Sequence, residues 1–287
     1  MERVEATHRV VTRVLVTGGA GLLGNALVRS APREARVEVT VRSRPSTLAV
    51  TTHRVDLSVP GAFDALVAVV EPELVIHTAY GKDDLDRDVV AATTEVVRTC
   101  ATHGVRLIHC SSDVVFDGEH GPYAESDAPS PISAYGEAKA VAETTVAELV
   151  PEAAIVRTSL LIQSDPPDPT SAWVIEANRC GEAVTLFGDE FRCPVAVDDV
   201  AGGIWAIAGL SADGQAGVWH LVGPQRLSRV DLGALLAGRF GLDRSLLVDA
   251  AAATVPGPRP RDLTLTSERA EATIGWSPRS LAEVLVL

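Results

Sequence analysis

Tyr135 and Lys139 stand four residues apart in Tyr135-Gly136-Glu137-Ala138-Lys139. From Ala134 to Leu149 the chain is rich in Ala, Glu, Val and Leu, with no proline and no glycine after Gly136. The spacing therefore predicts a helix that presents both side chains on one face. An ammonium held beside a phenol favours the phenolate and draws the phenol down from its usual value of about 10. Such a phenol can give a proton to a carbonyl oxygen or take one from an alcohol. Ser112 follows the apolar run Val105 to Cys110, and from a strand end its hydroxyl could hold the same oxygen. The pair by itself fits an exposed aromatic and a solvated charge better than a catalytic dyad, so the elements around it must decide.

The first of these is Val11 to Thr17, a β-branched apolar run that breaks into Gly18-Gly19-Ala20-Gly21-Leu22-Leu23-Gly24 and then a helical stretch from Asn25. A buried strand, a glycine-rich turn and a helix N-terminus form a phosphate site, because glycine admits close backbone approach and the free N–H groups favour an anion. A tight turn without a ligand is the plain alternative. Arg36 to Arg44 alternates as a second strand and ends on Arg42, Ser43 and Arg44. An NAD site usually places an acid at that tip, whereas two guanidinium groups and a hydroxyl suit a 2′-phosphate. NADPH is thus the expected cofactor and NADH the alternative. Glu38 is the competing acid, but the three strand-forming residues after it place it mid-strand.

Asp56, followed by Leu57, ends another short extended piece, where it could accept from an adenine amino group or cap the helix from Pro60 to Val70. Pro72 to Tyr80 reads as a fourth strand whose last residues, Thr78, Ala79 and Tyr80, would let a cofactor lie against the backbone. Within it His77 reads as a packed or hydrogen-bonded histidine. Asp88 to His103 reads as a helix and Val105 to Cys110 as a fifth strand. Strand and helix in alternation imply an α/β fold, a doubly wound parallel-sheet Rossmann domain. We expect that domain over residues 12–162, with 195–222 returning to it, and a smaller C-terminal substrate lobe mainly over 163–287. In that lobe Asp198 or Asp199 should cap a helix, and Arg259 and Arg261 either reach a phosphate or pin their own loop.

Composition narrows the class. The chain has 287 residues, 46% hydrophobic and 22% charged, and a formal charge of −13, which argues against a nucleic-acid surface. Neither a membrane-spanning apolar run nor a signal-peptide core is present, so a cytoplasmic protein is expected. The cysteines, Cys100, Cys110, Cys180 and Cys193, lack zinc spacing and read as free thiols, and no metal site is expected.

Taken together, these residues resemble the extended short-chain dehydrogenase/reductases, and within them the dTDP-4-dehydrorhamnose reductase group. The regulatory β subunit of methionine adenosyltransferase is similar to the same group. The likeness rests on T-G-x-x-G-x-x-G from Thr17, Ser111 to Gly118, Pro122 to Glu143, Phe191 to Ala201, and Arg259 to Pro278. It implies reduction of a keto group, foremost on a 4-keto-6-deoxy sugar nucleotide, with Tyr135 as proton donor. Lys139 would then hold the cofactor ribose and lower the tyrosine, and Ser112 would position the oxygen. Asp113, Leu160 and Arg259 would lie on the substrate side.

Three positions depart from the group's pattern. Val114 replaces a tyrosine, Leu160 a tryptophan that lies against the sugar nucleotide, and Val89 an asparagine of the usual tetrad. A nucleotide-sensing regulatory subunit of weak activity, and epimerase or dehydratase chemistry on the same fold, remain as alternatives. A homodimer is left open by the resemblance.

Overall fold

A computed structural model describes residues 11–43 and 48–286 of the chain. These form two compact units. The first takes the described residues up to Ser112, then Glu137–Arg157 and Ala201–Trp219. The second takes Asp113–Gly136, Thr158–Val200 and His220 onward.

The first unit is built on a sheet whose strands are Arg13–Thr17 (β1), Arg36–Val41 (β2), Thr52–Arg54 (β3), Leu74–His77 (β4), Arg106–Ser112 (β5) and Ala154–Thr158 (β6), with Gly217–Leu221 at one edge. The spatial order is Gly217–Leu221, β6, β5, β4, β1, β2, β3, and the neighbours from β5 through β3 pair in parallel. The order reverses between β1 and β4, the point at which doubly wound sheets open a crevice for a ligand. This is the α/β architecture that the alternation of elements implies.

Leu15, Val75, Leu107 and Ile155, from four strands, share one face of the sheet. They pack on Phe63 and Val67 of helix Ala62–Val70 (α2), Val96, Val97 and Cys100 of Ala92–His103 (α3), and Val146 of Ala134–Leu149 (α4). Side chains alternate along a strand, so Thr17, His77 and His109, each two residues further on, lie on that same face at the C-terminal end.

The second unit holds two apolar clusters. One joins Val174 and Ile175, Leu232 and Leu236, and Leu281 and Leu285, from three helices, around Val184 and Leu186. The other gathers Val115, Phe116, Tyr123, Cys193, Val222, Leu263 and Leu265. Local chemistry sets the helix starts. Asp168 accepts from the N–H groups of Thr170 and Ser171 ahead of Pro169–Arg179, and Ser228 and Asp231 form a reciprocal capping box for Arg229–Phe240. Asp198 and Asp199 lie within the first turn of Val197–Ala208 rather than before it, and Asp199 takes hydrogen bonds from Arg279.

The expected boundary near residue 162 sets aside a long-range pairing. Residues 113–136 belong to the second unit because their backbone pairs with the chain more than 140 residues further on: Tyr123 N–H donates to Thr264, Asp262 N–H to Gly118 and Thr266 N–H to Tyr123. Such pairing leaves no periodic mark in either segment.

Helix α4 is held in rotation by one ion pair inside the first unit. Arg157, on β6, grips Glu143 through Nε at 3.1 Å and Nη2 at 2.8 Å, with both side chains nearly excluded from water. Glu143 is one turn beyond Lys139 on the same stripe. Breaking a buried pair leaves one charge uncompensated, at about 3–5 kcal/mol. Glu143→Leu should lower the unfolding free energy in urea by about that amount, and the double variant Glu143→Leu/Arg157→Met should recover most of it.

Candidate active site

The turn after β1 is shaped for close approach. Gly18 has φ +73°, and a Cβ there would stand 2.9 Å from the Cα of Ala79. A Cβ on Gly24 would run into the carbonyl of Gly18. Thr17 Oγ1 accepts from the N–H groups of Thr78 and Ala79 at 3.1 and 3.2 Å, and Thr78 Oγ1 donates to the Thr17 carbonyl at 2.7 Å, so the tips of β1 and β4 are laced together. Helix Leu22–Arg29 (α1) starts at Gly21 with no side chain capping it, which leaves its first N–H groups for an anion. Gly18, Ala20, Gly21 and Leu22 are exposed or half-buried, while Leu23 and Gly24 are buried. The turn thus fits the pyrophosphate of a dinucleotide.

On α4, Tyr135 is half-buried and Lys139 is buried one turn away. Lys139 Nζ donates to the Cys110 carbonyl at 2.7 Å, two residues before the half-buried Ser112 that ends β5. Burial pulls the ammonium down to about 8, with Cys110 and Glu143 acting in the other direction. Beneath it lies a row that the spacing analysis did not single out as a whole. His77 Nδ1 meets Thr17 Oγ1 at 2.7 Å and its Nε2 meets Thr93 Oγ1 at 3.1 Å, so it is the hydrogen-bonded histidine expected. The His109 ring lies 5.3 Å from that of His77, and neither of its nitrogens has a hydrogen-bond partner. Burial, with the charge of Lys139, holds both rings neutral. His77 falls to about 3 and His109 well below its usual value. Sequence signalled this row only through the shared register of residues 17, 77 and 109.

Several expected cofactor residues are otherwise engaged. Arg42 pairs with Asp88, and Ser43 beside it is exposed; Arg44 lies outside the described residues. Glu38 sits mid-strand as expected, 2.7 Å from His53 and 2.8 Å from Arg36. Asp56 accepts from Ser58 N–H and Oγ at 3.1 and 2.7 Å and pairs with Arg87, so its carboxylate is turned into its own loop. It does not cap α2, whose N-cap is Gly61. Leu57 packs into the core, and Tyr80 is exposed.

In the second unit Asp113 is buried, accepts from Ser159 Oγ at 2.7 Å and lies 3.7 Å from Arg192 Nε. Ser159 and Arg192 were not singled out in sequence, where nothing but proximity in the fold connects them to residue 113. Leu160 packs against the helical cluster. Arg259 pairs with Glu190 and lies 4.5 Å above the ring of Phe187, the arrangement of an arginine that pins its loop.

The whole described chain follows a known pattern: the family model for the RmlD substrate binding domain matches residues 12–286. The chain belongs to that family. It is 29% identical over 287 residues to the probable low-salt glycan biosynthesis reductase Agl14 of Haloferax volcanii, covering 94% of this chain and 95% of that one. It is 28% identical to methionine adenosyltransferase 2 subunit beta of Danio rerio, over 90% of this chain and 84% of that one. It is also 28% identical to a dTDP-4-dehydrorhamnose reductase of Mycobacterium tuberculosis, over 93% and 88%. Among solved structures, the dTDP-4-dehydrorhamnose reductase of Bacillus anthracis in complex with NADP superposes with a TM-score of 0.83 at 19% identity, covering 96% of this chain and 98% of that one.

Within this family member the three departures have definite places. Val89 is buried in the π-helical turn Asp86–Ala91 that precedes α3. Val114 is half-buried beside the second apolar cluster. Neither a valine nor a leucine side chain carries a hydrogen-bonding group. Among the described residues no group of three His, Cys, Asp or Glu is placed to hold a metal, and no helix is long and apolar enough to cross a membrane. All four thiols are free, and burial pushes those of Cys100 and Cys110 up to about 12.

The neutral histidines link stability to pH. Unfolded histidine binds a proton near 6.5, and these native rings do not until far lower, so unfolding takes up protons and stability falls as pH drops below 6.5. Each ring contributes a slope of about 1.4 kcal/mol per pH unit. His77→Gln and His109→Leu should each flatten the urea-derived stability profile between pH 6.5 and 5 by about that slope.

Proposed function

We propose that the chain reduces a keto group on a sugar nucleotide, foremost a 4-keto-6-deoxy sugar nucleotide, using NADPH, with Tyr135 as the proton donor. Family membership makes it an NAD(P)-dependent oxidoreductase; substrate, cofactor preference and residue roles are our reading. The observation that carries it is the buried Lys139, anchored to the Cys110 carbonyl at 2.7 Å on the helix that bears Tyr135, two residues from Ser112. A buried ammonium one turn from a phenol would favour the phenolate over the phenol.

A bound dihydronicotinamide dinucleotide would supply the hydride. Gly18, Ala20, Gly21 and Leu22 would hold its pyrophosphate, Thr78 and Ala79 its backbone-facing side, and Lys139 its ribose. Ser112 positions the substrate oxygen and Tyr135 gives it a proton. Asp113, fixed by Ser159 and Arg192, is a rigid acceptor for a sugar hydroxyl.

A second reading has its own support. Leu160 and Val114 remove contacts that the reductase group makes to its sugar nucleotide, and one relative at 28% identity is a subunit of methionine adenosyltransferase 2. A regulatory subunit would co-purify with a stoichiometric partner and turn over no keto substrate.

The reductase reading is tested by NADPH oxidation against a panel of keto-sugar nucleotides. Tyr135→Phe should cut kcat about 10²- to 10⁴-fold while the dissociation constant for NADPH changes little. A loss of only a few-fold would remove Tyr135 from the proton step. The rate should also fall on the alkaline side near pH 8, as Lys139 loses its charge.

A further inference from the structure

Arg42 follows β2 at the corner where, on the cofactor reading above, the adenosine ribose belongs. This inference rests on that reading. An acid at the tip of β2 usually takes the ribose 2′-hydroxyl. Here the tip carries a guanidinium, and the acid comes from elsewhere. Asp88, in the π-helical turn Asp86–Ala91, pairs with Arg42 Nη1. Its carboxylate is 3% exposed while the Arg42 side chain is 44% exposed, so the acid stands behind the arginine and away from water.

The pair belongs to a closed network. Arg87 lies 3.7 Å from the same Asp88 carboxylate and pairs with Asp56, and its Nε donates to Ser58 Oγ at 3.1 Å. Arg42, Arg87, Asp56 and Asp88 carry two charges of each sign. Arg54 donates to the Arg42 carbonyl at 3.1 Å and Asp83 also acts on the Arg42 charge, which adds one more of each. The π turn matters here because its extra residue per turn sets which way position 88 faces, and single π turns recur at functional sites. Gly81 packs directly on the Asp88 carboxylate, where a Cβ has no room.

An unpaired arginine at this corner would favour a 2′-phosphate over a hydroxyl strongly. One whose charge is offset at contact distance, by a carboxylate that water screens poorly, would not. We propose that Asp88 sets cofactor selection: by holding and neutralising Arg42 it keeps the corner tolerant of a free ribose 2′-hydroxyl as well as a 2′-phosphate. Asp88 is a positioning residue that acts through Arg42.

The experiment is a titration of the full chain and its variants with NADPH and NADH, reading the ratio of the two dissociation constants. Asp88→Asn keeps the shape and removes the charge, and should shift the ratio at least tenfold towards NADPH. Arg42→Ala, at a half-exposed side chain, tests the same idea independently of how Asp88→Asn folds. It removes the guanidinium from the corner, leaves Asp88 with only the more distant Arg87, and should shift the ratio at least tenfold towards NADH. A ratio within twofold of the unaltered chain in both variants, or equal weakening of both dinucleotides by Asp88→Asn, overturns the assignment while the cofactor reading stands. An unaltered chain that binds neither dinucleotide overturns both.

Discussion

The first unit is arranged around an ammonium that has been taken out of water. Lys139 is buried on α4 with the Cys110 carbonyl as its anchor, and a desolvated charge of this kind tolerates little misplacement. The helix that carries it is therefore clamped: Glu143, one turn on, is locked to Arg157 of β6, and Val146 below them sits in the core. The same rotation that buries Lys139 sets where Tyr135 emerges. Core, clamp and the Tyr135–Lys139 pair lie along one stripe of one helix, so the placement of that pair and the stability of the sheet face are consequences of a single packing.

Beside that ammonium two buried histidines are kept uncharged. His77 and His109 lie on the face that Lys139 covers, and burial keeps both neutral, so neither adds a cation beside the lysine. His77 serves structure as well, since its ring bridges Thr17 and Thr93, while Thr17 also laces β1 to the backbone after β4. A glycine turn that needs close contact with Ala79 is thereby held in place by hydrogen bonds from directly beneath it.

The far corner of the same sheet follows the opposite rule. There Arg42, Arg87 and Asp56 are partly open to water, Asp88 behind them is buried, and the four are paired across the end of β2, the segment after β3 and the π turn. A charge-balanced corner ties the segment after β4 to that after β3 by ion pairs. It also makes selection between ligands a matter of a few opposed charges rather than of shape.

Sequence by itself determined the fold class, the glycine turn and the helix that carries Tyr135 and Lys139. The alternation of β-branched runs and helical stretches dictated a parallel sheet, the three-residue glycine period dictated the turn, and residues 135 and 139 had to share a helix face because 3.6 residues make a turn. These are short-range rules, and they survive without knowledge of what packs where. Position 38 could likewise be placed mid-strand from its neighbours alone. What only the tertiary structure decided was partnership over distance. The pairing of Arg42 with Asp88 and of Asp56 with Arg87, the burial of His109 without a partner, the joining of Asp113 to Ser159 and Arg192, and the union of residues 113–136 with 260–266 all link segments tens of residues apart. An arginine after a strand has the same local pattern whether a phosphate or an aspartate will meet it. The choice is made by which elements the sheet order brings side by side, and that order is a property of the folded core.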